Sequence, residues 1–275
     1  MLTKSDIETK IKKGRDTIRF DYDDANDDYK SDQDLKLPQP PLVKADMCDE
    51  SIPLPTDFSS LDTTVNFTEL LINRKSSRVY TEENISLLEL SYILWSIQGI
   101  KDIRGKKYAT IRTVPSGGAR HPFETYMIIK HVEGLKPGKY HYLPWGHRIE
   151  YLGEIEDVDK MIDKTIAGQT WAVKSSVVFY FSAVFYRSEW RYGINAHRPM
   201  LFDMGHVGEN LYLSATLLHL GTCASAAFEG QLCNELFGLD GEEETMMYSQ
   251  TLGTISKTDN TKEQAFYQFV EDEGL

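Results

Sequence analysis

The sequence predicts an α+β domain, in which helices and strands alternate along most of the chain. From Thr64 onward, segments with the apolar period of about 3.6 residues typical of helices alternate with short runs rich in β-branched and aromatic residues. The chain has 275 residues, of which 41% are hydrophobic, so it can bury a sizeable core. This composition excludes disorder throughout, a collagen and a coiled coil.

Four helices are predicted in this part of the chain. The first covers about 65–73 and ends in the basic sequence RKSSR, and the second begins at Asn84 or Ser86 and stops near Gly99. A long helix over about 199–220 follows, and Gly205 and Gly208 would let another helix approach it closely. Its apolar stripe consists of Met200, Met204, Val207, Leu211 and Leu218. A short helix is predicted over 231–237.

Six strands are predicted between and after these helices. They cover 124–130, 139–143, 148–152, 176–185, a segment after Gly221, and 246–252. The turn Pro144-Trp145-Gly146 separates the second strand from the third, and the fourth is the most apolar. Runs of strands beside helices of this kind favour an α+β architecture.

Residues 1–63 form a separate region, which is rich in Pro and Asp. The first 60 residues contain 14 acidic and 9 basic residues, five of the ten prolines, and the acidic run over 21–28. Such a segment cannot form a core alone, because proline removes hydrogen-bond donors and like charges repel. Two interpretations fit: a short N-terminal helix followed by an extended arm on the main domain, or a disordered tail.

Charge and cysteine content restrict the partners and the compartment. The net charge of −12 argues against a general nucleic-acid or anionic-membrane surface. The three cysteines, Cys48, Cys223 and Cys233, are too scattered for a disulfide framework, which fits a reducing compartment.

No apolar run approaches the roughly 18 residues of a membrane span, and the N-terminus has no apolar signal segment. We therefore expect a cytoplasmic protein without a nucleic-acid or membrane partner.

Three clusters could carry chemistry. Residues 74–78 (RKSSR) place three cations beside two hydroxyls, which suits a phosphorylated cofactor, although a solvated helix end has the same composition. Residues 114–122 (VPSGGARHP) combine a Gly-Gly pair with Arg120 and His121, where backbone N–H groups could approach a flat ligand or simply form a turn. Residues 221–228 (GTCASAAF) are small enough either to expose amides to a ligand or to pack as a buried strand.

Other motifs give little support to further sites. There is no GxGxxG, no GxxxxGK[ST] and no GxSxG sequence, so the Rossmann, P-loop and hydrolase patterns are missing. His206, Glu209 and Asn210 share a helix face, but this spacing is more typical of a polar patch than of a metal site. Cys223 fits a buried, unreactive thiol better than a nucleophile.

Taken in order, the three clusters resemble the flavin-dependent nitroreductase superfamily, and most closely its branch of SagB-type azoline oxidases. The resemblance covers about residues 66–253. It implies an α+β sandwich with a mainly antiparallel sheet, flanked by helices and preceded here by the N-terminal arm, so that residues 64–275 would form the FMN-binding domain. It also implies an intertwined homodimer with one FMN in each of two interface clefts.

The resemblance assigns roles to individual residues. Arg74, Ser76 and Arg78 would hold the FMN phosphate and ribityl chain and place positive charge near the N1–C2=O edge. Residues 115–118 would lie along the flavin ring, from the same subunit or the other, and Ala226 and Ala227 would place an amide near N5. The full set of candidate cofactor-binding residues is Arg74, Lys75, Ser76, Arg78, Pro115, Ser116, Gly117, Gly118, Arg120, Ser225, Ala226, Ala227 and Gly253.

Two departures from the family pattern affect the expected activity. Only Lys257 and Lys262 follow Gly253 where many nitroreductases have a basic pair near the phosphate, and Arg191-Tyr192 stands where azoline oxidases carry a catalytic Lys-Tyr pair. Arg191 and Tyr192 are therefore candidates for the reactive site without an assigned role. The resemblance implies an oxidoreductase that uses NADH or NADPH to reduce a nitroaromatic, a quinone or a similar small molecule. A peptide azoline dehydrogenase and a flavin-binding protein without turnover are the alternatives.

Overall fold

A computed structural model describes residues 2–19, 29–256 and 261–274. The acidic run over 21–28 and Lys257 lie outside the described residues. The strands are β1 (Ile52–Pro53), β2 (Ile100–Arg104), β3 (Ala109–Arg112), β4 (Phe123–Ile129), β5 (Gly138–Leu143), β6 (Arg148–Gly153), β7 (Val177–Val184), β8 (Leu220–Ser225) and β9 (Glu244–Thr254). The helices are α1 (Lys4–Ile18), α2 (Phe67–Asn73), α3 (Leu87–Gln98), α4 (Val158–Thr165), α5 (Tyr186–Tyr192), α6 (His197–Leu217), α7 (Gly230–Phe237), α8 (Thr261–Phe266) and α9 (Gln268–Asp272).

Seven of these strands form one antiparallel sheet in the order β1-β6-β5-β4-β7-β9-β8. The central strand β7 is buried along almost its whole length, as its apolar sequence predicts. Its side chains alternate between two cores: Phe179 and Phe181 face one, and Val178 and Tyr180 face the other. Helices α3 and α6 cover the first core, and α4 and α7 cover the second. The predicted α+β sandwich with a mainly antiparallel sheet is therefore confirmed.

The predicted starts and ends of elements are correct to within a few residues. Ser86, not Asn84, starts α3: its hydroxyl accepts from the Glu89 amide at 3.2 Å, while the Glu89 carboxylate accepts from the Ser86 amide at 2.8 Å. Helix α6 ends at Leu217, three residues earlier than predicted. His219 adopts a left-handed conformation with φ of 57°, and Leu220 already pairs with Thr254 of β9.

The two glycines of α6 do not act as predicted within the chain. A Cβ on Gly208 would contact the Tyr248 side chain of β9 at 3.3 Å, so this glycine faces the sheet and not a second helix. A Cβ on Gly205 would meet nothing within 4 Å. The prediction that both serve helix packing is therefore wrong for Gly208, whose neighbour is an aromatic side chain of a strand.

The arm, which we define as residues 29–60, lies along the domain. The Gln33 amide donates to the Trp190 carbonyl oxygen at 2.8 Å, and the Arg112 guanidinium donates to the Leu42 carbonyl oxygen at 3.0 Å. The interpretation as an extended arm is therefore correct for these residues. Helix α1 precedes it, and the side chains described in α1 are exposed.

The arm closes a buried polar network under the sheet. His141 lies between Glu124, at 3.0 Å, and Glu150, at 2.7 Å, and Glu124 pairs with Arg187 at 2.5 Å. The backbone amides of Met47 and Cys48 both donate to Glu150 at 2.8 Å. Lys44 of the arm pairs with a further carboxylate, that of Glu244.

Candidate functional site

The basic loop 74–78 follows α2 and lies against the edge strand β8. The Ser77 amide donates to the Thr222 carbonyl oxygen at 2.9 Å. A Cβ on Gly221 would lie 2.9 Å from the Ser77 Cβ, so the loop can approach the strand this closely only because position 221 is glycine. The loop backbone is thus fixed relative to the sheet.

Tyr212 of α6 connects the loop to the strand. Its hydroxyl lies 2.9 Å from the Ser76 Oγ and accepts from the Ala224 amide at 2.9 Å. The guanidinium of Arg74 stacks on the Tyr212 ring, with 5.4 Å between the guanidinium carbon and the ring centroid. One tyrosine therefore positions two of the predicted site residues.

The three cations of the loop have no carboxylate partner within ion-pair distance among the described residues. Arg78 donates to the Tyr267 hydroxyl and lies between two rings, 5.6 Å from Trp171 and 5.9 Å from Tyr267. Burial alone would lower the pKa of Arg78, but the neighbouring Cys223 thiol and Tyr267 hydroxyl outweigh it and raise that pKa. Arg78 therefore keeps its positive charge.

A cavity of about 590 Å³ opens beside two of these cations, Arg74 and Lys75. Its lining comprises Arg74, Lys75 and Ser76 from the loop, and Glu263, Gln264, Tyr267 and Glu271 from the C-terminal helices. A neighbouring cavity of about 360 Å³ contains Lys75 and the predicted Lys262 in its lining. The C-terminal helices thus bring one basic residue to the loop, together with a tyrosine and two carboxylates that the sequence analysis did not single out.

Cys223 lies beside the basic loop on β8. It is buried, and its thiol is near the Ser76 and Tyr212 hydroxyls and the Arg78 cation. Burial raises the pKa of the Cys223 thiol above its ordinary value. This agrees with the expectation of an unreactive thiol.

The segment after β8 carries the predicted small residues at the surface. Ala226 and Ala227 are exposed, and the Ala227 amide donates to the Ser225 Oγ at 3.1 Å. Gln169 holds the turn by donating to the Ser225 Oγ and to the Ala227 carbonyl oxygen. Gly253 is different, since it is buried in β9 where a Cβ would meet the Tyr80 ring at 2.7 Å. It allows close packing beneath the loop.

The loop 115–118 is held by a carboxylate that the sequence analysis did not identify. Asp203 of α6 accepts from the Ser116 hydroxyl at 2.6 Å and from the Gly117 amide at 3.0 Å. Burial raises the pKa of Asp203, because it disfavours the charged carboxylate. Pro115 is exposed at the start of this loop.

Gly118 brings the loop against Arg191 and Tyr192. It adopts a left-handed conformation with φ of 57°, and a Cβ there would lie 2.5 Å from the Arg191 Cδ and 2.7 Å from the Tyr192 hydroxyl. The sequence left open whether this glycine serves the approach of a ligand or a turn, and the structure shows that the space is taken by these two side chains. Arg191 in turn donates to the Tyr108 hydroxyl, and to Gln33 of the arm at 3.2 Å.

Arg120 supports the loop from inside the fold. Its side chain is buried, donates to the Gly118 and Tyr108 carbonyl oxygens, and stacks between the Tyr108 and Trp190 rings. His121 is also buried, and burial beside Arg112 lowers its pKa to about 2. Both residues therefore lie behind the loop surface on which the sequence analysis placed them.

The structure brings the three clusters into two groups, one toward each end of α6. The basic loop and the end of β8 meet at Tyr212, whereas the loop 115–118 meets Asp203. These anchors are nine residues apart, which corresponds to about 14 Å along a helix. No hydrogen bond joins the two groups among the described residues.

Four further side chains shape the two groups: Tyr212, Asp203, Trp171 and Tyr267. Their residue types occur throughout the chain, and only the fold brings them to the predicted loops. In the polar patch on α6, His206 and Glu209 are exposed, and the Asn210 amide donates to the Ser96 carbonyl oxygen at 2.8 Å. The described residues contain no group of three His, Cys, Asp or Glu side chains that could hold a metal ion. None of the helices within them has the length and apolar character needed to cross a membrane.

The fold and this arrangement define an α+β protein in which a cluster of cations, without an ion-paired carboxylate among the described residues, lies beside the sheet. The model of the Nitroreductase family matches residues 71–254, and the chain belongs to this family. The chain is 35% identical over 164 residues to the candidate nitroreductase MJ1384 of Methanocaldococcus jannaschii, covering 60% of this chain and 80% of the relative. It is 26% identical over 200 residues to the trifolitoxin-processing protein TfxB of Rhizobium leguminosarum bv. trifolii, covering 68% of this chain and 54% of the relative.

Solved structures share the fold at low sequence identity. A candidate nitroreductase of Ralstonia eutropha is 22% identical with a TM-score of 0.61, covering 80% of this chain and 95% of that one. A chain of the Escherichia coli microcin synthetase McbBCD complex with truncated pro-MccB17 is 18% identical with a TM-score of 0.56, covering 76% and 79%. A candidate nitroreductase of Exiguobacterium sibiricum in complex with FMN is 15% identical with a TM-score of 0.51, covering 73% and 93%.

Proposed function

We propose that this chain is an FMN-dependent oxidoreductase that takes hydride from NADH or NADPH and passes electrons to a nitroaromatic, a quinone or a similar small molecule. The observation that carries the proposal is the basic loop 74–78, whose cations lie beside hydroxyl donors without an ion-paired carboxylate among the described residues. Membership of the nitroreductase family and the FMN-bound relative support it.

The residues of the loop fit a phosphorylated cofactor. A phosphomonoester is bound best by cations with several N–H donors and by hydroxyl groups, and Arg74, Arg78 and Ser76 supply both kinds. The cavity of about 590 Å³ beside Arg74, Lys75 and Ser76 gives a ligand access to the loop. In this proposal Arg74, Lys75, Ser76 and Arg78 hold the phosphate and the adjoining chain of FMN.

In this proposal the protein contributes to the chemistry by positioning the cofactor and by placing charges and hydrogen-bond donors around its ring. When bound, FMN supplies a ring that accepts hydride and releases electrons. A fixed guanidinium such as that of Arg78 stabilises the negative charge that a flavin gains on reduction. The exposed turn at Ala226 and Ala227, held by Gln169, is the proposed source of a backbone donor to the ring edge.

The loop 115–118 is proposed to reach the cofactor from the partner protomer of a homodimer. Within one chain it is anchored nine residues along α6 from the basic loop, about 14 Å away, and the two groups share no hydrogen bond among the described residues. Exposed apolar side chains on α2 and α6, namely Phe67, Leu71, Ile72, Leu201 and Phe202, offer a surface for a second copy. The site would then combine residues of two chains.

A peptide azoline dehydrogenase is the second candidate, because the trifolitoxin-processing protein is among the relatives. Oxidation of an azoline removes a proton from carbon as hydride leaves, so it needs a base. Arg191 cannot serve: although burial acts against its charge, the Tyr192 and Tyr108 hydroxyls raise its pKa. We therefore rank this activity below reduction of a small acceptor.

Anaerobic stopped-flow spectroscopy of the purified protein, with the bound flavin as the reporter, separates these functions. We expect NADH or NADPH to bleach the flavin absorbance, and a quinone or nitroaromatic to restore it. Bleaching by a thiazoline peptide but by neither nicotinamide would support the second candidate and contradict our ranking. A bound flavin that none of these compounds reduces would indicate a flavin-binding protein without turnover.

The compartment and the domain boundary follow as further parts of the proposal. The three cysteines are free thiols, which suits the cytoplasm. We propose that residues 64–275 form the cofactor-binding domain and that residues 1–63 contribute the helix and the arm.

A further inference from the structure

The C-terminal helices reach the basic loop through Tyr267. This residue lies between α8 and α9, beyond residue 254 where the family match ends. Its hydroxyl accepts a hydrogen bond from the Arg78 Nη1, and its ring centroid lies 5.9 Å from the Arg78 guanidinium carbon. The Phe266 ring packs edge-on against Tyr267, with 5.1 Å between the centroids.

Trp171 contacts the same guanidinium. It belongs to the turn over Thr170–Lys174, and its ring centroid lies 5.6 Å from the Arg78 guanidinium carbon. Two aromatic residues from distant parts of the chain thus contact one planar cation, Tyr267 through its hydroxyl and Trp171 through its ring. Contacts of this kind restrict the rotamers of a long side chain, so less side-chain entropy is lost when a ligand fixes it.

We propose that Tyr267 and Trp171 are positioning residues, which hold the Arg78 guanidinium so that its remaining N–H donors face the anionic part of the cofactor. The inference rests on the proposed function, since it takes the basic loop to be the cofactor anchor. A guanidinium has five N–H donors, and the Tyr267 hydroxyl accepts from only one of its nitrogens, Nη1, so further donors remain for a ligand. The C-terminal helices are then part of the cofactor site.

The same helices also bring Glu263 and Glu271 to the cavity. A carboxylate beside an incoming anion opposes its binding, so these residues act against the contribution of Tyr267. Removing the whole C-terminal segment would combine two opposite effects. Single substitutions are therefore needed to isolate the effect of the aromatic residues.

The test is a double-mutant cycle on FMN binding, measured by quenching of flavin fluorescence in the flavin-stripped, full-length protein. We expect Tyr267→Leu to weaken binding about 10-fold and Tyr267→Phe, which keeps the ring, about 3-fold. Trp171→Leu should also weaken binding about 10-fold. Phe269→Leu changes an exposed ring of the same segment and should leave the affinity unchanged.

The second arm of the cycle repeats Tyr267→Leu in an Arg78→Ala background, with FMN titrated to a concentration high enough to measure weak binding. A residue that acts through Arg78 loses its effect there, so we expect less than a 2-fold change. An undiminished loss in that background would contradict the proposal, as would unchanged or tighter binding by Tyr267→Leu in the native background. If Arg78→Ala itself leaves FMN affinity unchanged, the assigned role of the basic loop fails instead. Thermal unfolding of each variant without FMN checks that the chain is folded.

Discussion

Arg78 and Asp203 are the residues on which the two halves of the proposed site depend. Arg78 is a cation whose hydroxyl partner leaves its charge uncompensated, and it lies where the basic loop meets β8 and the C-terminal helices. Asp203 fixes the backbone of the loop 115–118 through two donors. Each residue acts through the direction of its hydrogen bonds and through its charge. Substitutions that keep the size of the side chain but change its charge therefore test its role.

Reversing the charge of Arg78 should remove the flavin from the folded protein. Arg78→Glu loses charged hydrogen bonds worth about 1.5–3 kcal/mol each and adds repulsion toward a phosphate. We expect purified Arg78→Glu to have less than about a tenth of the bound flavin of the native protein. The absorbance near 450 nm per chain measures this, and circular dichroism reports the fold.

Arg104→Glu is the matched control, because it makes the same charge change at an exposed residue of β2. It should keep its flavin. Equal flavin content in both variants would mean that the basic loop is an ordinary solvated surface.

The arm does more than cover the surface, because one of its side chains pairs with a buried carboxylate of the domain. Lys44 pairs with Glu244, whose carboxylate also accepts from the Tyr126 hydroxyl at 3.0 Å and from the Ser182 hydroxyl at 2.6 Å. Lys44→Met leaves this buried carboxylate without its cation. Removing one partner of a buried pair typically costs about 3–5 kcal/mol.

We expect Lys44→Met to lower the free energy of unfolding by about 3 kcal/mol in urea titrations. Lys30→Met, at an exposed position of the arm, should change it by less than about 0.5 kcal/mol. Adding Glu244→Gln to Lys44→Met should restore part of the loss, since no charge then remains buried there. A loss below about 1 kcal/mol would show that the arm is only loosely attached.

The turn between β5 and β6 should make stability depend on pH through His147. Its ring bonds the Ser91 Oγ and the Tyr142 hydroxyl, both at 2.7 Å, and burial lowers the pKa of His147 to about 4. Between the ordinary histidine pKa of about 6.5 and pH 4, the unfolded chain binds a proton that the folded chain does not. Stability should therefore fall as the pH is lowered through this window.

Urea titrations from pH 7 to pH 4 measure the slope. His147→Gln removes the titrating group and should give a shallower fall than the native protein. An equal slope for His147→Gln and the native protein would place the pH dependence elsewhere.

Elements with a strong local signal could be predicted from the sequence, whereas contacts made by the fold could not. The Ser86 and Glu89 pair indicates the start of α3, and the apolar run over 176–185 indicates the central strand. The hairpin of β2 and β3 has no such signal, because β2 is exposed and carries charged residues without alternation. The bonds from Met47 and Cys48 to Glu150 use backbone amides, which every sequence has.

The same distinction holds for the candidate site. Residues 74–78 are recognisable because three cations occur together in an acidic chain. Tyr212, Asp203 and Tyr267 are single polar residues, and only tertiary packing brings them to the loops. Gly118 illustrates what the sequence cannot show. A Gly-Gly pair indicates a position without room for a side chain, but not that Arg191 and Tyr192 occupy that room.

At the scale of the whole molecule, the proposed site requires two chains. Light scattering of the purified protein should give about twice the chain mass of 31.5 kDa. Replacing the exposed Leu201 and Phe202 of α6 by Glu should weaken the dimer and release flavin together, because both depend on the same interface. A native monomer that retains one flavin per chain would contradict a shared site.

If this chain binds FMN as proposed, the purified protein should release FMN when it is heated. Absorbance near 450 nm and mass spectrometry after heat release identify the flavin and its ratio to the chain. Because the basic loop is proposed as a phosphate anchor and the sequence has no dinucleotide-binding motif, we predict FMN, not FAD, at about one per chain. Protein that is colourless as purified and fails to take up added FMN would contradict the proposal that this chain binds FMN.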